Sequence, residues 1–352
     1  MPPNALTALK NIEVTNDTES GDGFQLTFSV SKGNGMEFNV LQGGPLQPFN
    51  RVVIGVMLGV IPHILIDGII THHQLSPGDK DSQAYFTVTG KDLTVMMDLK
   101  EKNDKFENQP DSLIISRIIG QYAEYGLVPL VTPTPVVPLS IQRITRQHET
   151  DLQMINRLAE RNGYIFYIEP VSFGVNRAYW GPEQRIGVPQ PAITIDMGAA
   201  NNATGLRFSN DSMAPVEPEG AFVEPFLKTR IPIPLLPSLR FPPIVAQPAE
   251  ARRTTLVRDS AKQDLSQAAN NVVSRLSGGS EPVTAEGEVD TIRYGKILRA
   301  RKPVGVRGAG VSYNGIYFIR SVTHRISNGE YKQSFSLSRE GTGSLLPVLP
   351  TS

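Results

Sequence analysis

The 352-residue chain contains no cysteine, which excludes disulfides and thiolate metal sites. It has no excess of either charge. The 34 Lys and Arg balance 34 Asp and Glu, so the molecule as a whole is not built to bind nucleic acid or a membrane surface. The first residues, MPPNALTALK, lack the apolar centre of a signal peptide. Long apolar runs are equally scarce. Val52–Ile66 is uncharged, but it falls short of the roughly 20 residues a spanning helix needs. It also carries Gly55, Gly59, Pro62 and many β-branched residues, so it reads as two buried strands around a turn.

Chemistry-bearing motifs are missing too. There is no G-x-S-x-G, P-loop or dinucleotide fingerprint, and Gly308-Ala309-Gly310 is only a turn signal. His148-Glu149 begins like a zinc protease motif, but Leu152 stands where its second histidine belongs. His72 and His73 are adjacent, and adjacent strand residues face opposite ways, so a solvated pair is expected. His324 is expected to pack or hydrogen-bond. No carboxylate pair stands out for acid/base work. The expectation is a chain with no catalytic, cofactor-binding or metal-binding residues.

What is present is patterned secondary structure. A chain of this length suggests two or three domains with ample apolar content for real cores. In Arg146–Glu169, Thr150 is a good N-cap and Gln153 completes a capping box. Leu152, Ile155, Leu158 and Ala159 fall on one helical face, and Asn162-Gly163 supplies a left-handed stop before the strand-like Tyr164–Ile168. Ser112–Tyr125 is a second helix with Leu113, Ile114, Ile118 and Tyr122 on its apolar side. Ile141–Ile144 is a short strand and Pro129–Pro138 a connector. Phe24–Ser31, Glu37–Leu41 and Ala84–Thr89 read as strands. In Arg258–Leu276 the residues Ala261, Leu265, Ala268, Val272 and Leu276 form the stripe of a further helix. Strands with Gly turns then fill residues 282–340.

The helix-Gly-strand block ending in LAERNGYIFYIE resembles the baseplate hub proteins of contractile phage tails and related injection systems, a family that includes late control protein D and the hub half of VgrG spikes. Other stretches follow in the family's order. Leu65–Ile70 is similar to its strand, acidic-Gly turn, strand element. Gly90-Lys91-Asp92-Leu93 is similar to its step into a helix. Gly315–His324 with Tyr331–Arg339 is similar to its closing hairpin. The resemblance implies a mixed, β-rich α+β fold with two tail-tube-like β-barrel domains, each with a packed helix, and a small α/β insert. On this reading 1–95 with 176–210 form the first tube-like domain, 96–175 the insert, 211–254 a Pro-rich arm or linker, 255–345 the second tube-like domain and 346–352 a tail. It further implies a non-enzymatic homotrimer that adapts a sixfold inner tube to a threefold spike. Its partners would be the inner tube protein, a separate spike protein and neighbouring baseplate proteins, with no cofactor, no nucleic-acid contact required and no membrane span. It would assemble in the cytoplasm, within the phage tail or injection particle. The chain ends soon after the closing hairpin, so spike and cell-wall hydrolase are expected to be separate proteins. A tail-tube initiator or distal tail protein is the alternative. A secreted cell-wall enzyme is the rival from another class, and it lacks the expected signal peptide and carboxylate pair.

Two segments are candidate interfaces. Pro215–Pro248 holds nine prolines, which fit no central strand, yet it also carries Leu235, Leu236 and Phe241. It reads as an arm packed on its own domain or on a neighbouring subunit, or as a free linker. Further on, Glu281, Glu286, Glu288 and Asp290 form an acidic block, and Arg293, Lys296, Arg299, Arg301, Lys302 and Arg307 form a basic one. They read either as solvated faces or as complementary charge across an intersubunit seam.

Overall fold

The structure is a computed structural model that describes residues 3–30, 44–78, 84–134, 136, 144–223, 230–232, 240, 243–257, 265–279 and 281–345. Its framework is an 11-stranded sheet. Along the sheet the strands run Ala203–Asn210, Val283–Asp290, Glu330–Arg339, Gly315–Ser327, Leu9–Asp17, Gly23–Val30, Ala84–Asp92, Ile61–Ser76 and Arg51–Leu58. Pro303–Arg307 pairs with the first residues of Gly315–Ser327, and Gln190–Thr194 lies parallel beside it. The long closing strand therefore serves both halves. Its early residues 315–318 pair with Pro303–Arg307, and its later residues 321–327 pair with Leu9–Asp17.

Alternation decides which face is buried. Phe24, Leu26, Phe28, Phe86 and Val88 point into one apolar core with Leu65, Ile66 and Ile70. Val283, Ala285, Val289, Tyr317, Ile319, Val322, Phe335 and Leu337 build a second core in the C-terminal half. The β-rich fold and the closing hairpin Gly315–Ser327/Glu330–Arg339 agree with the sequence reading. Strand partners differ from expectation after residue 176. Val175–Gly181 joins the insert's own sheet, and Ala203–Asn210 pairs with Val283–Asp290. Residues 190–210 thus extend the C-terminal half, because the sheet edge that accepts them is there. Among the described residues the strand path is open at Arg51–Leu58 and at Ala203–Asn210.

The insert hangs from the sheet after Asp92. It contains the helices Asp111–Gly120 and Asp151–Asn162, the ribbon Glu101–Phe106/Thr145–Thr150, and a three-stranded sheet of Leu127–Val131, Val175–Gly181 and Ile165–Ser172. Thr150 and Gln153 form the reciprocal capping box, and Gly163 takes the left-handed conformation that ends the helix. Met154, Ile155, Leu158 and Ala159 are buried against Ile114, Ile115, Ile118, Ile119 and Trp180, while Leu152 is only partly covered. Leu113 is exposed rather than buried, because Ile114, Ile115, Ile118 and Ile119 form the face that meets the neighbouring helix and sheet. The Pro129 connector begins as the edge strand Leu127–Val131, where a missing donor costs little.

Three local expectations need correction. Asp67-Gly68 is no turn. It lies within the continuous strand Ile61–Ser76, where a Cβ on Gly68 would collide with the Lys91 carbonyl. Val52–Ile66 does form two strands around Gly59, but its outer end is not buried. Met57, Val60 and Ile61 are 71%, 89% and 57% exposed. The proline-rich arm contains strand after all. Val216–Val223 pairs with Arg253–Val257 over 216–220 and with Arg230–Pro232 over 221–223, so each residue has one neighbour only. Val245–Pro248 pairs with Gly341–Ser344, fastening this part of the arm to its own chain. Glu37–Leu41, residues 141–143, Ala261, Leu235, Leu236 and Phe241 lie outside the described residues. The helix expected over Arg258–Leu276 spans Leu265–Gly278 among the described residues, with Val272 buried.

Helix phase in the insert gives a direct test. Leu158→Asp should lower stability by several kcal/mol, since an unpaired charge replaces a fully buried leucine. Arg157→Ala, which loses a 2.8 Å hydrogen bond to the half-buried Glu149, should cost roughly 0.5 kcal/mol. Urea titration of both variants checks the contrast.

Candidate functional site

The described residues bring charged side chains together at the joins between structural parts. The densest cluster centres on Arg185, which follows the last insert strand. Its Nη1 donates to Glu281 and, at 2.7 Å, to Glu340, and its Nε donates to Glu183 at 2.8 Å. Arg240 of the arm reaches Glu183 and donates to the Gly279 carbonyl at 2.6 Å. Ser338 donates to Glu281. Burial alone would weaken Arg185 as a base, but Glu281, Glu183 and Glu340 outweigh it and hold its pKa above the usual arginine value. Burial likewise pushes against ionised Glu281, and Arg185 and Arg240 reverse the balance, leaving its pKa lowered.

A second cluster joins the sheet to the insert. Arg301 donates to both oxygens of Asp22, and its guanidinium lies 4.4 Å from the centre of the Tyr167 ring on insert strand Ile165–Ser172. Lys302 donates to Glu169 of the same strand at 3.0 Å. On the other side, Arg51 holds Asp67 through two hydrogen bonds of 2.7 and 2.8 Å and donates to the Tyr125 carbonyl at 2.8 Å. Asn176 donates to Asp67 at 2.9 Å. Beside these joins runs an open cleft of about 1290 Å³, bounded by Asp22 and Asp92 of the sheet, Arg157 and Glu160 of the insert, and Ser274 of the helix Leu265–Gly278.

This arrangement redraws the two charge blocks. Glu281 and Arg301 are buried in the clusters just described, each paired within the same chain. Arg299 turns inward and donates to the Ile64 carbonyl at 2.7 Å. Glu286, Arg293 and Lys296 remain exposed, and Glu288 and Asp290 are partly so. Sequence reasoning read the run of like charges as one surface. Arg299 and Arg301 turn inward within the irregular segment between Thr291–Tyr294 and Pro303–Arg307, where no periodic pattern signals it. Sequence reasoning also missed Arg185, Asp22, Asp67 and Asp92, which are scattered singly along the chain.

The histidines fall apart. His72 is exposed, and His73 packs edge-on to Phe86 with ring centres 5.1 Å apart. His148 is exposed on the insert ribbon. His324 is buried, with Nδ1 2.9 Å from the Tyr331 hydroxyl, and burial first and Arg299 second lower its pKa to about 3. It packs and hydrogen-bonds, as the sequence suggested.

Removing the central cation exposes the cost of the first cluster. Arg185→Ala should lose about 3–5 kcal/mol at pH 7, because the carboxylates stay buried without their partner. Orphaned carboxyls titrate above their unfolded values, so the variant should regain stability as pH falls. The parent keeps the Glu281 contribution down to the ordinary glutamate value of 4.5 and loses it only below, so at pH 5 the gap between the two should narrow through the variant's gain. Denaturant midpoints at both pH values check this.

A sequence comparison with curated proteins finds no match. Solved structures share the fold. The chain is similar to a tail protein from Neisseria meningitidis MC58, with 14% identity, TM-score 0.63, and 95% of this chain and 93% of that one covered. It is similar to a 43 kDa tail protein of prophage MuSo2 from Shewanella oneidensis, with 16% identity, TM-score 0.63, and 94% of each chain covered. The E. coli c3393 protein, a component of the type VI secretion system, matches at 12% identity and TM-score 0.58 over 97% of this chain and 77% of that one. The chain thus has the β-rich fold of phage tail and type VI secretion proteins, and no helix among its described residues is long and apolar enough to cross a membrane. Residues 7–195, more than half of its length, match the family described as the Alg8 N-terminal domain, and the chain belongs to that family.

Proposed function

We propose that this protein is a structural baseplate hub of a phage tail or contractile injection system. Three copies, each offering two tube-like β units, form a pseudo-sixfold ring between a sixfold inner tube and a separate threefold spike. The observation that carries this reading is the agreement in fold with tail proteins over more than nine-tenths of both chains. The two apolar cores strung along one sheet supply the two units. Subunit contacts would close each unit into a barrel wall.

The outer face of the sheet supports the same role. One cross-strand row reads Gly23, Thr15, Thr323, Ser334 and Glu288, and the next reads Gln25, Glu13, Arg325 and Lys332. Neither row carries an aliphatic side chain. Thr15 and Thr323 hydroxyls are 3.1 Å apart, and Ser334 donates to Glu288 at 3.2 Å. Such a face suits a water-filled bore. The apolar tip Met57-Val60-Ile61 suits contact with a neighbouring subunit or tube ring, since exposed apolar clusters mark association sites. The work of such a hub is symmetry matching through interfaces, with no bond made or broken, and assembly takes place in the cytoplasm and within the particle. The exposed charges Glu286, Glu288, Asp290, Arg293 and Lys296 belong to the same proposal as seam residues that fix register.

Particle symmetry tests the role. Three copies per baseplate are expected. Six copies would move the protein to a tube initiator, and turnover of peptidoglycan abolished by one carboxylate substitution would overturn the structural reading. Changing Met57, Val60 and Ile61 together to Asp should leave the melting temperature within about 2 °C, as surface changes do, while lowering the yield of assembled particles.

A further inference from the structure

We propose that Asp92 is a proton-operated latch at the hinge of the insert: protonated, it lets the insert close on the sheet, and ionised, it loosens that join and widens the cleft. Asp92 is the last residue of strand Ala84–Asp92, and the next turn, Leu93–Met97, carries Leu93 and Met97 into the insert core. The chain therefore passes from sheet to insert through this residue. Its side chain accepts from the Thr94 N–H at 3.1 Å and from the Thr94 hydroxyl, so it also caps the turn.

The charges around it do not balance. Asp22 is saturated by Arg301, by Asn16 at 2.9 Å and by the Asp17 N–H at 3.0 Å. Arg301 gives its two Nη groups to Asp22 and the Asp17 carbonyl, keeps its Nε without a hydrogen-bond partner among the described residues, and covers Tyr167 of the insert. On the adjacent strand, Asp67 is taken by Arg51 and Asn176. From the insert side, Glu169 is held by Lys302, and Asp98 accepts from the Thr150 hydroxyl at 2.6 Å. Lys91 is exposed on the opposite face of the strand. Asp92, whose N–H donates to the Asp22 carbonyl at 3.1 Å, is thus a second buried carboxylate beside Asp22, and the arginine there pairs with Asp22. Burial first, and the Asp22 charge second, push its carboxyl up to about 7, against the pull of Thr94 and Arg301.

The sign follows from the raised value. The folded protein holds this proton more tightly than the unfolded chain, so the contribution to stability is complete below about pH 4 and is lost as pH rises through about 7. With the proton on, Arg301 serves Asp22 alone and stays over Tyr167. With it off, a second anion lies beside Asp22 at the step from Ala84–Asp92 into the insert, and water entering from the cleft becomes its best solvent.

The absence of native cysteine makes the test direct. Spin labels on Gln25→Cys, exposed on the sheet, and Glu124→Cys, exposed on the insert, report the distance between the two bodies. In the full chain, the distribution should be narrow at pH 5.5 and broader or longer at pH 8.5, with a midpoint near 7. Asp92→Asn, which keeps a capping side chain, should hold the acid distribution at every pH and melt no lower than the parent at pH 8.5. Asp22→Asn should move the midpoint down by about one unit or more, as removal of a neighbouring like charge does. A parent distribution that ignores pH, or a pH response that persists in Asp92→Asn, overturns the proposal. If Asp92→Asn fails to fold, the parent titration with the Asp22→Asn shift still decides it.

Discussion

Seven residue pairs between Leu9–Asp17 and Gly315–Ser327, from Asn11 against Ser327 to Asp17 against Ser321, hold the two halves of this protein in one sheet. Each half has its own apolar core, and Ile297, Ile326 and Tyr331 of the C-terminal half also pack into the first. The backbone ladder reaches across, assisted by Thr18, whose N–H and hydroxyl both donate to the Arg320 carbonyl. Ion pairs Glu13–Arg325 and Glu19–Arg320 flank it. On the proposed hub reading, presenting two tube-like units at a fixed spacing would call for such a stiff join. A pleated ladder supplies it better than a linker, because slipping by one residue would turn every core side chain toward water.

The other joins use charge. Within each part the packing is apolar, and Ile69 of the sheet enters the insert core, but insert, arm and sheet also meet through Arg185, Arg301, Arg51 and Lys302. Buried pairs contribute little net stability, since removing ions from water costs nearly as much as their attraction returns. They do specify geometry, because an ion a few ångströms out of place loses its partner and keeps its desolvation. Apolar faces would have tolerated several ways of docking the insert. An arginine that must meet Asp22 and Tyr167 together tolerates few.

The elements with local signals were legible in the sequence. The Thr150 capping box, the Gly163 stop and the closing hairpin each depend on neighbours within a few residues, so composition and spacing suffice to see them. Asp67-Gly68 misled because the same dipeptide that makes a turn also fits a strand wherever a neighbouring backbone comes too close for a side chain. The charge blocks misled for a different reason. Linear neighbours of one sign look like one surface, whereas Glu281 and Arg301 are claimed by residues 96 and 279 positions away in sequence. The assignment of 176–210 to the first half failed likewise, since strand pairing is a long-range choice that propensity does not encode.

The ladder between the first and last strands has a consequence for biosynthesis. Leu9–Asp17 leaves the ribosome some 300 residues before the strand that completes its second edge. At about 5–20 residues per second, that edge waits for a quarter of a minute or more, paired only with Gly23–Val30 on one side. During this interval the nascent chain offers a template to any other chain, and two chains on one message could exchange their final hairpins. Lys10, Glu13 and Asp17 on the waiting strand keep it charged and soluble over that interval.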